Sequence, residues 1–270
     1  FLLGSNSPLS RSSETPSLNE SSKTYDPAGR LRTEITSSSN NIRHVYSGES
    51  IQEVIDQSLE GDTVFIHAGT YHAHLVLKSG VNLKGEDQEK TVIHGDYQSQ
   101  QHVIRALGDN RIENLTVSGS GPYAGVPSSA IRIEGDHVNV RHNRIVDNRD
   151  YGIFIWKGAD ILIEMNLIRN NSLGVQLPKD TTLIRYNTFI HNNIGVNTLG
   201  GATPRISHNI FANSTFSSIY EFNWNAYSQG LSSRGFAAVE NNTFYNNIER
   251  GTAYGSATPP AAETQTIGNQ

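Results

Sequence analysis

Glu134 and Asp150 are the two carboxylates whose surroundings make them worth testing as a reacting pair. A glycoside hydrolase needs two such groups, about 5.5 Å apart for retention or about 6.5–9.5 Å apart for inversion. A lyase acting on a uronate needs different equipment. It needs a cation to neutralise the sugar carboxylate and a base, such as Lys157, Lys179 or Tyr220, to take the C5 proton. Asp147, Asp150, Asp160 and Asp180 are spread over separate turns, so a calcium site has no carboxylate cluster to support it. His72 and His74 stand two apart, as on one face of a strand, but no third ligand accompanies them. No metal or other cofactor is expected. Charged residues scattered this way usually decorate a surface, so the balance leans toward binding rather than catalysis.

A different set of residues suits recognition. Arg132, Phe154, Gln176, Asn197 and Tyr220 recur at near-constant spacing, and Glu134, Trp156, Pro178, Leu199 and Phe222 follow two positions behind them. If each repeat forms one layer, both sets become columns on an outer wall. Stacked aromatics suit the apolar faces of sugar rings or the surface of a protein partner. Two irregular insertions, 119–129 (GSGPYAGVPSS) and 223–235 (NWNAYSQGLSSRG), interrupt the repeat beside these columns. Insertions in a solenoid tend to mark its binding side. The competing expectation is that the loops cover the aromatics as a small second core.

The elements that must hold these residues are written in a recurring phrase. It reads VRHNRIVDN at 140–148, IEMNLIRNN at 163–171, IRYNTFIHNN at 184–193, ISHNIFAN at 206–213 and VENNTFYNN at 239–247. Its aligned asparagines are Asn143, Asn166, Asn187, Asn209 and Asn242, with spacings of 23, 21, 22 and 33. A period near 22 is one coil of a stacked solenoid. Each coil reads as three short strands: one ending near Val140, one carrying Ile145, Ile168, Phe189, Phe211 or Phe244 inward, and a third over Ile131–Glu134, Ile153–Trp156, Val175–Pro178, Val196–Leu199 and Ile219–Phe222. The predicted fold is all-β, a right-handed parallel β-helix of about eight coils at the ~4.8 Å spacing of paired strands. Asparagine tolerates the left-handed backbone of a corner, and stacked amides can satisfy one another. These asparagines are therefore read as structural, and so are the glycosylation-like triplets at Asn170, Asn213 and Asn241. His142 and His208 are expected on the surface at the corners.

Ser50-Ile51-Gln52-Glu53 fits a capping box, and Ile51, Val54, Ile55 and Leu59 follow at helical spacing up to Gly61-Asp62. Such a helix can plug the open apolar end of the stack. Residues 1–43 read as a flexible serine-rich leader, 44–250 as the β-helix, and 251–270 as a polar tail that can shield the last coil from edge pairing. With 21 basic and 26 acidic side chains, the net charge of −5 argues against a nucleic-acid partner. The absence of cysteine excludes disulfides and thiol chemistry. No apolar run approaches a membrane span. The chain opens at Phe1-Leu2-Leu3, as a processed product would.

The entry phrase IQEVIDQSLEGDTVFIHAGTY at 51–71, VNLKGE at 81–86 and the asparagine-cornered coils resemble the pectin-lyase-like superfamily, in particular its NosD-like group of bacterial exported proteins. The resemblance covers about 45–250. It implies the fold and an extracellular, cell-surface or periplasmic location; activity does not follow from fold. It also implies that ligands lie along the wall carrying Ile131–Glu134. The superfamily's enzyme signatures, Gly-His-Gly with Arg-x-Lys for polygalacturonases and Asp-Pro-His-Asp for epimerases, have no counterpart here. The leading expectation is an exported protein that binds polysaccharide or another extended partner along its aromatic wall. The alternatives are a lyase or hydrolase of acidic glycans and a self-assembling subunit of a surface filament.

Overall fold

The computed structural model describes residues 40–98, 101–121, 128–177, 182–199, 202–222 and 237–248, together with the backbone of three short strands at 24–25, 31–32 and 265–267. The chain divides into two units, 1–38 and 39–270. In the first, Thr24–Tyr25 pairs antiparallel with Leu31–Arg32. The second is a three-sided parallel β-helix.

Its first wall runs from Ile42–Val45 through Thr63–Ile66 and Asn82–Gly85 to Ala238–Glu240, and its second from Gly69–His72 to Thr243–Tyr245 and Gln265–Ile267. The third runs from Leu75–Leu77 through Ile104–Ala106, Ser129–Ile133, Tyr151–Ile155, Leu173–Leu177 and Ile194–Leu199 to Ser217–Phe222. Every pairing within these walls is parallel and joins equivalent residues of successive coils, which gives about eight turns. Ile112, Val140, Ile163, Ile184 and Ile206 are therefore stacked on one inner side. Ile104, Ile131, Ile153, Val175, Val196 and Ile219 are stacked on another. All these side chains are buried, and period-2 alternation sends their neighbours outward. Phe189, Phe211 and Phe244 stack nearly parallel inside the second wall, with ring centroids 4.6 and 5.2 Å apart.

The corners differ from the sequence expectation in one respect. The ladder asparagines do not take the left-handed conformation; the residues before them do. His142, Met165, Tyr186, His208 and Asn241 have φ of 53–57°. Each asparagine instead turns inward and is buried. Asn143 N, Asn166 N, Asn187 N and Asn209 N each donate to the side-chain Oδ1 of the asparagine in the next coil, at 3.0, 3.0, 2.8 and 2.8 Å. Each Nδ2 also donates to a main-chain carbonyl of an earlier coil, as Asn187 does to Ile163 O at 2.9 Å. A buried amide is tolerated because all its polar atoms are engaged. A second file follows five residues later: Asn148, Asn171 and Asn192 repeat the bond at 3.3 and 3.0 Å, and Ser214 N donates to Asn247 Oδ1 at 2.9 Å. Two columns thus pin two corners of the coils from Asn143 onward.

The predicted cap is present but shorter. The helix spans Ile51–Gln57, with Ser50 Oγ accepting from Glu53 N at 3.3 Å and with Ile51 and Ile55 buried against the stack. Leu59 lies beyond it and is exposed. Gln52 completes the cap: its Oε1 accepts from Val76 N at 2.8 Å and its Nε2 donates to Val76 O at 3.3 Å. One side chain so replaces the missing neighbour of the edge strand Leu75–Leu77. The early sequence reads as short strands over Thr63–His67, Leu75–Leu77, Val81–Lys84, Thr91–His94 and His102–Ala106, and the structure adds Gly69–His72 to them. The third-wall strands also begin about two residues earlier than expected, at Ser129, Tyr151, Leu173, Ile194 and Ser217.

Candidate functional site

The first and third walls treat charge differently. On the outside of the first wall, Lys84, Glu113, Arg141, Glu164 and Arg185 occupy one column and alternate in sign. Arg141 reaches Glu113 at 2.7 Å and Arg185 reaches Glu164 at 2.8 Å. Lys84 also lies 3.4 Å from Glu113, so every cation of this column stands beside a carboxylate of a neighbouring coil.

On the third wall two arginines are direct neighbours, since Arg105 pairs in register with Arg132. They share one carboxylate. Arg105 donates to both oxygens of Glu134 at 2.9 Å each, in the fork geometry that suits a guanidinium. Arg132 Nε lies 2.7 Å from the same Oε1, but off the line of its N–H, so this buried nitrogen makes an ion pair without a hydrogen bond. Arg132 Nη1 is 3.0 Å from His102 Nε2. An arginine has no acceptor, so Nε2 is the lone-pair nitrogen and His102 Nδ1 carries the proton, which it donates to Ser129 Oγ at 2.8 Å. Burial first, and then the nearby Arg132 charge, push the His102 pKa down to about 4. The Arg105 hydrogen bonds outweigh burial and hold Glu134 below the usual carboxylate range. Around these side chains is an open cleft of about 410 Å³, lined also by His74, Val76 and Gln101.

Aromatic residues adjoin the cleft one coil further along. Arg132 lies over the rings of Trp156 and Phe154, with centroids 4.8 and 5.5 Å from its guanidinium carbon. Tyr151 stacks on Phe154 at 5.1 Å. Phe154 is thereby buried at 6 % exposure, whereas Trp156 remains 55 % exposed.

The register places Arg132, Phe154, Gln176, Asn197 and Tyr220 in one column. Their accessibility is uneven. Gln176 and Asn197 are buried and joined by an Asn197 Nδ2 to Gln176 Oε1 bond of 2.9 Å. Tyr220 is half-buried and meets Phe216 edge-on at 5.5 Å. Phe222 pairs with Leu199 through the backbone. The accessible part of the column is its Arg132–Trp156 end. Pro178, Lys179, Asp180, the insertion 223–235 and most of the insertion 119–129 lie outside the described residues.

Glu134 and Asp150 are not brought together. Asp150 accepts from Ser128 N at 2.9 Å at the start of the third-wall strand, six residues from Glu134 at its end. At ~3.3 Å per residue that is roughly 20 Å, well beyond either hydrolase spacing. Burial raises the Asp150 pKa, partly offset by the Ser128 amide. Glu134, ionised and locked between arginines, is unsuited to act as a general acid. Lys157 is exposed just past Trp156.

His72 and His74 do not share a face. A corner separates them: His72 sits edge-on to His94 at 5.4 Å on the second wall, and His74 contacts His102 O at 3.1 Å on the third. Among the described residues, no group of three or more histidine or acidic side chains is placed to hold a metal ion. His142 and His208 are exposed at the corners beside the ladder.

Sequence reasoning missed His102 and Arg105. The signal was available: VIRA at 103–106 aligns with AIRI at 130–133 and GIFI at 152–155, which stacks Arg105 on Arg132. The coil joining them carries the 119–129 insertion, so the asparagine phrase does not reach back that far.

The profile described as "Right handed beta helix region" matches residues 79–230, more than half of the chain. The chain belongs to this family of right-handed parallel β-helices. Among solved structures, a pectin methylesterase mutant in complex with a hexasaccharide aligns at TM-score 0.56 and 11% identity, covering 85% of this chain and 93% of the other. The rice weevil pectin methyl esterase aligns at TM-score 0.52 and 11% identity, covering 82% and 84%. The Dettilon tailspike protein aligns at TM-score 0.50 and 12% identity, covering 84% and 59%. At these identities the likeness is one of fold. No curated protein matches the sequence. Among the described residues no helix is long and apolar enough to cross a membrane.

Proposed function

We propose that this protein is exported or displayed at the cell surface and binds a polysaccharide along the third wall, at the end formed by Arg132, Phe154 and Trp156. The observation that carries this reading is the half-exposed Trp156 ring, fixed by Arg132 at 4.8 Å and opening beside a cleft of about 410 Å³. A rigid indole with a polar cleft next to it offers a sugar an apolar platform and hydrogen-bonding groups together. Parallel coils repeat at ~4.8 Å, close to the rise of one sugar along an extended glycan, so successive coils can meet successive sugars. Named fold relatives support the same class of ligand: one is a pectin methylesterase with a bound hexasaccharide, another a tailspike.

Binding is favoured over catalysis because the carboxylates proposed as a reacting pair, Glu134 and Asp150, stand at opposite ends of the wall. The test is a glycan array followed by calorimetry on the tightest ligands. Trp156→Ala is expected to weaken binding about tenfold or more, the loss of one stacking platform, and Tyr220→Ala to weaken it less. An array without binders, or affinities indifferent to Trp156→Ala, overturns the proposal. Release of unsaturated or reducing ends from alginate or pectate would restore the enzymatic reading.

A further inference from the structure

The pairing of Arg105 with Arg132 is unlike any other arrangement on the described surface. On the first wall the two cations that share a carboxylate, Lys84 and Arg141, stand two coils apart with Glu113 between them. The third wall places two guanidiniums in adjacent coils against a single carboxylate, and the histidine beside them accepts a hydrogen bond rather than adding charge. This excess of one positive charge sits in a concave site on a protein whose net charge is −5. Two guanidiniums one coil apart, with donors left over after Glu134 and His102 are served, form a receptor for one planar, singly charged anion.

We propose that this cleft is a carboxylate subsite that selects a free uronic acid within the bound glycan and discriminates against its methyl ester. The proposal rests on the polysaccharide reading above and gives it a substrate class. Trp156 lies one coil from Arg132 and two from Arg105, so the neighbour of a sugar stacked on Trp156 falls beside both guanidiniums. A free carboxylate there replaces water on both guanidiniums and neutralises the excess charge. A methyl ester keeps the shape, loses the charge and offers only neutral acceptors. Glu134 orients the arginines and also competes with the ligand. His102 is a positioning residue: it holds Arg132 in place without adding to the charge.

The test compares oligogalacturonates with their fully methyl-esterified counterparts by calorimetry, using the full chain and two variants expected to move in opposite directions. The free acid should bind about tenfold more tightly than the ester, and that preference should shrink as salt is raised. Arg105→Gln should remove most of the preference, weakening the acid about tenfold and the ester much less. Glu134→Gln should strengthen acid binding several-fold. Because one variant loses and the other gains, misfolding cannot imitate the pair. Equal affinity for acid and ester, preference for a sulfated neutral oligosaccharide over the uronate, or a preference that survives Arg105→Gln overturns the subsite. The two readings fail separately. Ester and acid binding equally, both sensitive to Trp156→Ala, retains the glycan wall and discards the subsite. Monomeric galacturonate binding in an Arg105-dependent way, with no oligomer bound more tightly, retains the subsite and discards the wall.

Discussion

Asn187 shows how much one side chain holds in this fold. Its Oδ1 accepts from Asn166 N and Nδ2, each at 3.0 Å, and its Nδ2 donates to Ile163 O and Asn209 Oδ1 at 2.9 and 3.0 Å. Alanine there takes these partners from Asn166 N and Ile163 O in the preceding coil, while Asn209 Oδ1 keeps the main-chain N–H of residue 187. Each stranded group costs about 1–3 kcal/mol, so a loss of about 3 kcal/mol is expected in urea denaturation. His102 gives a second expectation, in pH. Its folded pKa of about 4 lies below the ordinary histidine value of 6.5. Between those values the unfolded chain takes up a proton that the folded chain refuses. Stability should therefore fall as pH drops from 6.5 toward 4 and gain no further penalty from this group below that. The group is partly exposed, so the total is about 1–2 kcal/mol after solvent screening. His102→Gln keeps an acceptor for Arg132 but does not titrate. Thermal melts across this range should show a shallower slope for the variant.

Strands stacked this closely have little room at certain positions. Gly152, Gly174 and Gly195 occupy one column of the third wall, flanked by Ala130 and Ser218. None of the three needs a left-handed backbone. What excludes larger residues is the next coil: a Cβ on Gly174 would lie 2.4 Å from Gly195 O and 3.1 Å from a Phe189 ring carbon. Gly174→Ala is expected to cost about 1–3 kcal/mol by overpacking, read as a lowered Tm, and more than the same change in an open turn. The glycines were visible in the sequence, but their cause was not, because it lies in the carbonyl of a residue 21 positions away. The corner residues teach the same lesson. Asparagine was legible as the repeated letter, yet the left-handed position is its predecessor, filled variously by His142, Met165, Tyr186, His208 and Asn241. A backbone requirement met by four residue types in five corners leaves little trace in a pattern.

The architecture as a whole was legible because a solenoid repeats its own arithmetic: a period near 22 with inward apolar residues fixes coil, register and walls together. The site was less legible because function departs from the repeat. The column Arg132–Phe154–Gln176–Asn197–Tyr220 was placed correctly as a column, but periodicity does not say which members stay accessible. Tyr151 covers Phe154, and the Gln176–Asn197 amides close on one another. Arg105 and His102 belong to a coil before the regular phrase begins. The glycosidase-like pair failed on simple length, since Glu134 and Asp150 stand at opposite ends of one wall. The asparagine file, finally, has an arrow. From Asn143 to Asn209 each rung offers its N–H forward and receives from behind through its carbonyl oxygen. An inverted coil would meet donor with donor. Shortening this protein, lengthening it or joining two copies end to end must therefore proceed in whole laps with the same heading, tail of one to head of the next.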